Sequence, residues 1–175
     1  PQPRITRLRV ILGCGWDVAN NGPTADLDLS AILVPKNARI SGENVTQHVV
    51  FYNNPSVQGV RSTGDNRTGV GEGDDEQIVV ELDNVAPEIE KIVFVVTIYD
   101  AQGKSQLFGM VKNAFARLVN EETNEELCRY ELSNDYSTDT CIEFCSLNRT
   151  PNGWQFEAVG KGSVGDLNSV LAQYM

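Results

Sequence analysis

Between Gly64 and Glu76 the chain reads GDNRTGVGEGDDE, thirteen residues that hold four glycines, five carboxylates and an asparagine against one arginine. Two carboxylates at ~4 Å in an effective dielectric of about 20 repel by roughly 4 kcal/mol. Such side chains either splay into water or share a cation. The glycines favour sharing, because they let the backbone curl tightly and turn carbonyl oxygens inward. The candidate donors are Asp65, Asn66, Glu72, Asp74, Asp75 and Glu76, all hard oxygen ligands. They suit Ca2+, which takes roughly six to eight oxygens. The loop is not an EF-hand: counted from Asp65, Glu76 falls at the twelfth position, but the third and fifth are Arg67 and Gly69.

Asp26 and Asp28 add to this set. They open the alternating run DLDLSAILV (26–34), with Leu27, Leu29, Ala31 and Leu33 on one face and Asp26, Asp28 and Ser30 on the other. Residues two apart on a strand point the same way, ~7 Å apart. If the acidic loop meets the same end of the fold, two chain segments close around one or two ions. The competing reading is an exposed pair on a solvated face. Asp17 and Asp100, at other strand ends, read equally well as turn caps.

Enzymatic motifs are missing. The chain has no GxSxG, P-loop or HExxH pattern, and its sole histidine, His48, has no partner legible from spacing. The spacing Gly69-x-Gly71-x-Gly73 suggests a phosphate nest, but the surrounding carboxylates repel phosphate unless a metal intervenes. Four cysteines (Cys14, Cys128, Cys141, Cys145) form no CxxC pair, so buried free thiols are expected rather than a zinc site. Cys141 and Cys145, an even number apart, are expected on the same face of a strand. Three Asn-x-Thr sequons begin at Asn44, Asn66 and Asn148 and matter only in a secretory compartment.

With 175 residues, 41% hydrophobic content and a mean hydropathy of -0.26, the chain suits a single domain with its own core, residues 1–175. No apolar run approaches the roughly 20 residues of a membrane span. A net charge of -10 argues against nucleic acid as a partner and fits cations or basic partners. The opening PQPRITRLRVIL lacks an initiator Met and a signal-peptide pattern, so a domain excised from a longer protein or a trimmed chain is expected.

The elements that must position these groups are short strands divided by turn signals. Strands are expected at Leu8–Leu12 (ending at Gly13), 26–34, His48–Tyr52, Gln77–Leu82 and Lys91–Tyr99, the last central. Phe108–Asn120 divides into a helical turn to about Asn113 and a strand, which pairs with Leu127–Leu132 across EETNE. Cys141–Leu147 pairs with Trp154–Val159 across the turn Thr150-Pro151-Asn152-Gly153. Asp166–Tyr174 is the helix candidate, with Asp166 near its start. The sum is a mostly β fold: a two-sheet β-sandwich with a few short helices, including one at the C-terminus.

GCGWD (13–17), DLDLSA (26–31), VFYNN (50–54), the 64–76 string, IVFVVTIYDA (92–101), NAFARLVNEETNEEL (113–127) and WQFEAVGKG (154–162) together resemble the TerD family of tellurium-resistance and general stress proteins. The resemblance spans nearly the whole chain in a consistent order. It implies a β-sandwich with short helices and calcium held by the acidic segments. It also implies a cytoplasmic role in tellurite and other stress responses, with association at the inner face of the membrane. The match carries over Asp26, Asp28, Asp65, Asn66, Asp74, Asp75 and Glu76 as metal ligands; Glu72 stands where the string tolerates other residues. The chain departs from the family in the leader expected before the first strand, in Cys14 within GCGWD, and in Cys141 and Cys145.

The expected function is therefore a non-enzymatic, calcium-binding stress-response module whose ion orders an acidic loop surface for a protein partner the sequence does not name. The alternatives are a metal-dependent enzyme or anionic small-ligand binder at the same site, and a structural subunit stapled by calcium.

Overall fold

The computed structural model describes the backbone at 4–5 and residues 9–17, 26–63 and 75–175. Among the described residues twelve strands run in chain order: β1 (Arg4–Ile5), β2 (Arg9–Gly15), β3 (Leu27–Pro35), β4 (Val49–Val50), β5 (Ser56–Val57), β6 (Val60–Ser62), β7 (Glu76–Glu81), β8 (Ile89–Ile98), β9 (Phe115–Asn120), β10 (Glu125–Glu131), β11 (Cys141–Thr150) and β12 (Gly153–Ser163). They form two antiparallel six-stranded sheets, ordered β1-β12-β11-β8-β3-β4 and β10-β9-β2-β7-β6-β5. This is the expected sandwich.

Strand alternation builds the main core. Leu12 from β2, Leu27 and Leu29 from β3, Ile78 from β7, Phe94 from β8 and Phe144 from β11 meet between the sheets, each essentially inaccessible. Burial of each such side chain contributes about 1.5–3 kcal/mol. The apolar β8 lies inside its sheet, between β11 and β3, as its composition predicts. On the outer face of that sheet Ile32, Val93, Val95 and Cys141 form a second cluster with Ile40, Val170 and Leu171. The last two belong to the C-terminal helix α3 (Leu167–Leu171), which runs on as a 3-10 turn over Ala172–Tyr174. Shorter helical turns lie at α1 (Ala101–Lys104) and α2 (Leu132–Asp135).

Several expectations need correction. The competing reading of 26–34, a solvated polar face, does not hold: Asp26, Asp28 and Ser30 are buried, as is β3 along nearly its whole length. The segment His48–Tyr52 pairs with β3 only through Val49 and Val50. Beyond them Phe51 and Asn54 bridge each other, and Asn54 Nδ2 donates to the Thr46 and Val49 carbonyls, folding the chain into a turn. β2 does not stop at Gly13. It continues through Cys14 and Gly15, because partners on both sides, Gln77 and Glu76 on β7 and Arg117 to Phe115 on β9, complete its ladder. The helical turn expected to reach Asn113 is a single 3-10 turn at Phe108–Met110.

Cys141 and Cys145 face opposite sides. A β-bulge between Glu143 and Cys145 inserts Phe144 as an extra residue, so Cys145 joins the inter-sheet core while Cys141 joins the outer cluster. All four cysteines are free thiols, with Cys14, Cys141 and Cys145 buried and Cys128 half-buried. Burial pushes the Cys141 thiol up to about 11 and the Tyr130 phenol up to about 12, from ordinary values of 9.0 and 10.0. Burial moves Cys145 upward as well.

Two outcomes follow. The folded state favours the neutral thiol and phenol, so the unfolded chain ionises first as pH rises. Stability against urea is expected to hold below about pH 9 and to fall between about 9 and 12. Asp166 caps α3 through a reciprocal bond pair with Ser169. Asp166→Ala should therefore lower stability by about 1 kcal/mol, or roughly 2–4 °C in a thermal melt.

Candidate metal centre

β3 runs at the edge of its sheet for most of its length, because β4 pairs only with Ala31 and Ile32. Upstream, the β3 backbone N–H of Leu29 faces away from β8 and needs an acceptor. Glu76, the first residue of β7 in the opposite sheet, supplies it: Oε1 accepts from Leu29 N at 3.0 Å in a fully buried bond. A carboxylate thus stands in for the missing strand and ties one sheet to the other. Glu76 reaches this point because it continues the inward-facing series of Ile78 and Val80.

Asp26 and Asp28 meet Glu76 here. One carboxylate oxygen from each of the three lies within 4.8 Å of the others, and the residues are only 7%, 6% and 4% exposed. Asp26 is positioned from behind, its carbonyl accepting from Tyr99 N at 2.7 Å at the end of β8. Asp26 Oδ1, Asp28 Oδ1 and Glu76 Oε2 are each shut off from solvent. At such separations, with an effective dielectric of about 20, each pair of charges repels by about 3.5 kcal/mol, or roughly 10 kcal/mol for the trio. Hydrogen bonds such as that from Leu29 offset part of this. The donor set is all oxygen and all acidic, so it fits a hard divalent cation and offers nothing to a soft one.

Asp75 plays a different part. Its N–H donates to the Cys14 carbonyl at 2.7 Å, and its Oδ2 accepts from Trp16 N at 2.8 Å. It pins the chain leaving β2 against the start of β7, beside the trio rather than within it. Asp65, Asn66, Glu72 and Asp74 lie outside the described residues. Asp17 and Asp100 serve turns: Asp17 accepts from Asn113 Nδ2 at 2.6 Å, and Asp100 takes a left-handed backbone (φ 52°) at the start of α1. The Leu29 N–H was not foreseeable from sequence; its signal is the short β4, which leaves an edge that only a side chain can satisfy.

His48 is remote from this centre. Its Nδ1 donates to the Leu33 carbonyl at 2.9 Å, and Leu33 N donates back to the His48 carbonyl at 2.7 Å. Ser30, buried on β3, lies on the face opposite Leu33 by strand alternation.

The family model described as the TerD domain matches residues 2–174. The chain belongs to the TerD family. Its relatives in that family include the tellurium resistance protein TerD of Serratia marcescens, 48% identical over 168 residues, covering 94% of this chain and 86% of that protein. General stress protein 16U of Bacillus subtilis is 44% identical over 172 residues, covering 95% of this chain and 86% of its own. TerD relatives are thus named for resistance and stress. The crystal structure of a homologue of the telluride resistance protein TerD from Streptomyces coelicolor superposes with a TM-score of 0.77, covering 94% of this chain and 95% of that one. At 22% identity that likeness concerns the TerD fold alone.

The Glu76 bridge separates two variants. Gln keeps an acceptor for Leu29 N while removing a charge; Ala removes both and strands a buried N–H, a loss of about 1–3 kcal/mol. In excess chelator, Glu76→Gln is expected to melt several degrees above Glu76→Ala. Equal melting temperatures would mean that the bond ties nothing.

Proposed function

We propose that this TerD-family chain is a cytoplasmic, non-enzymatic calcium module of the stress response, in which the bound ion orders an acidic surface for a protein partner. The observation that carries the reading is the convergence of Asp26, Asp28 and Glu76 from two sheets on one buried point. Three carboxylates that close and that dry need protons, hydrogen bonds or a cation to relieve their charge, and an all-oxygen acidic donor set suits a hard cation. When bound, calcium supplies positive charge and a centre that oxygens from several segments can share.

Asp26, Asp28 and Glu76 are the inner ligands on this reading, and Asp65, Asn66, Glu72, Asp74 and Asp75 are the further donors that the 64–76 string brings. Asp75 has a second duty, since its hold on Trp16 N keeps the end of β2 beside the start of β7. Calcium therefore joins the β3 edge to the segment entering β7, which is where a partner surface would form. Association at the inner face of a membrane belongs to the same proposal. Among the described residues no helix is long and apolar enough to cross a membrane, so docking rather than spanning is meant. The names of the relatives, resistance and stress proteins, support a protective role.

Thermal melting with calcium and with chelator tests the site. Calcium at about one hundred times its Kd should stabilise the fold by about 2.7 kcal/mol, several degrees in Tm. Asp26→Asn combined with Asp28→Asn should abolish the shift. An undiminished shift in that variant would remove the trio from the calcium site.

A further inference from the structure

We propose a second, metal-independent site: a side cavity built around His48 that takes a short aliphatic ammonium compound. It lies between the edges of the two sheets, about 17 Å along β3 from the metal centre, counting five residues from Asp28 to Leu33 at ~3.3 Å each. Its volume is about 250 Å3. At roughly 30 Å3 per water that is room for about eight waters or as many heavy atoms.

The lining is mixed: Leu33, Val57, Ala86 and Ile89 are apolar, and Thr46, Gln47, His48, Gln58 and Glu88 are polar. Ligand sites generally combine apolar walls with a few convergent polar groups. His48 is the unusual member. It is only 8% exposed, yet it borders the cavity. The Leu33 carbonyl can only accept, so Nδ1 carries the ring proton in the bond between them. In the neutral ring Nε2 then carries the lone pair, which is the atom a donor-bearing guest would use.

The chemistry of that guest follows from the lining. Nε2 accepts, the Glu88 carboxylate accepts and is negative, Thr46, Gln47 and Gln58 are neutral, and among the described residues no Lys or Arg lines the cavity. The chain as a whole carries -10. A guest must therefore bring donors and positive charge at one end and a short hydrocarbon at the other. A primary ammonium on a stem of about four carbons satisfies both. An aliphatic carboxylate of the same length faces Glu88 with like charge, and an alcohol lacks the charge that Glu88 selects. A metal held here would have two side-chain ligands from the lining, His48 and Glu88, fewer than the three or four usual for protein sites.

The sole histidine makes the test direct, because one imidazole carries the signal. Nitrogen-15 NMR of the full chain at neutral pH, in chelator, is expected to show the Nδ1–H tautomer. n-Butylammonium should then shift the His48 ring resonances saturably, with half-saturation on the order of 1 mM, the strength suited to a five-heavy-atom guest. Glu88→Gln should weaken this about tenfold, and Gln58→Trp, which puts a bulky ring on the cavity lining, should abolish it. Both positions are exposed, so melting temperature and the calcium response should stay as in the unaltered chain. The proposal is overturned by the Nε2–H tautomer, by no saturable shift up to about 50 mM, or by equal binding of n-butyrate or n-butanol. A response to Zn2+ in place of the amine, tested without chelator, would overturn it too. Because calcium plays no part, its failure leaves the metal centre untouched, and the reverse holds.

Discussion

The bond from Leu29 N to Glu76 is the constraint on which this end of the molecule depends. A sandwich holds its sheets together chiefly by non-directional apolar contact, which sets their spacing but leaves lateral position soft. Here a directional, buried bond to a charged acceptor crosses from one sheet to the other and fixes where β3 lies against β7. The same carboxylate lies beside Asp26 and Asp28. A structural bond and the proposed metal site thereby meet in one side chain. The arrangement is electrostatically expensive, and a cation that lessens the expense also tightens the sheet contact.

Around this point the fold is organised by which edges are left open. β4 is short because the chain turns back at Phe51–Asn54, and its shortness exposes the β3 edge that Glu76 then completes. Asp75 acts alongside, holding the chain beyond Gly15 through Trp16 N. Elsewhere the same logic governs the outer face of the sheet, where α3 and the 36–48 connection cover Ile32, Val93 and Val95. That cover buries the outer face of β3 at Ile32, while Glu76 from the other sheet closes on Asp26 and Asp28.

Much of this was legible in the residues. The period-two runs named the strands, the Thr150–Gly153 turn named the β11–β12 hairpin, and Asp166 named the start of the last helix, because each is a local preference that tertiary contacts reinforce. The readings that failed did so where a neighbour overrides a local pattern. Gly13 does not end β2, since ladders on both sides hold it. Even spacing does not put Cys141 and Cys145 together, since a bulge shifts the alternation between them. The competing, solvated-face reading of Asp26 and Asp28 fails too, since Glu76 from the opposite sheet meets them.

For the site itself, the sequence alone determined the chemistry: an excess of hard, anionic oxygen in two segments, with glycine to let one of them curl, in the order that marks the TerD family. Composition and spacing suffice for that because charge and donor type belong to single residues. Only the tertiary structure decided that Asp26 and Asp28 meet Glu76 rather than solvent, that Asp75 holds a backbone N–H, and that His48 borders a cavity of its own. Those outcomes depend on strand pairing between residues dozens of positions apart, and distance in space is not a property any one stretch of chain carries.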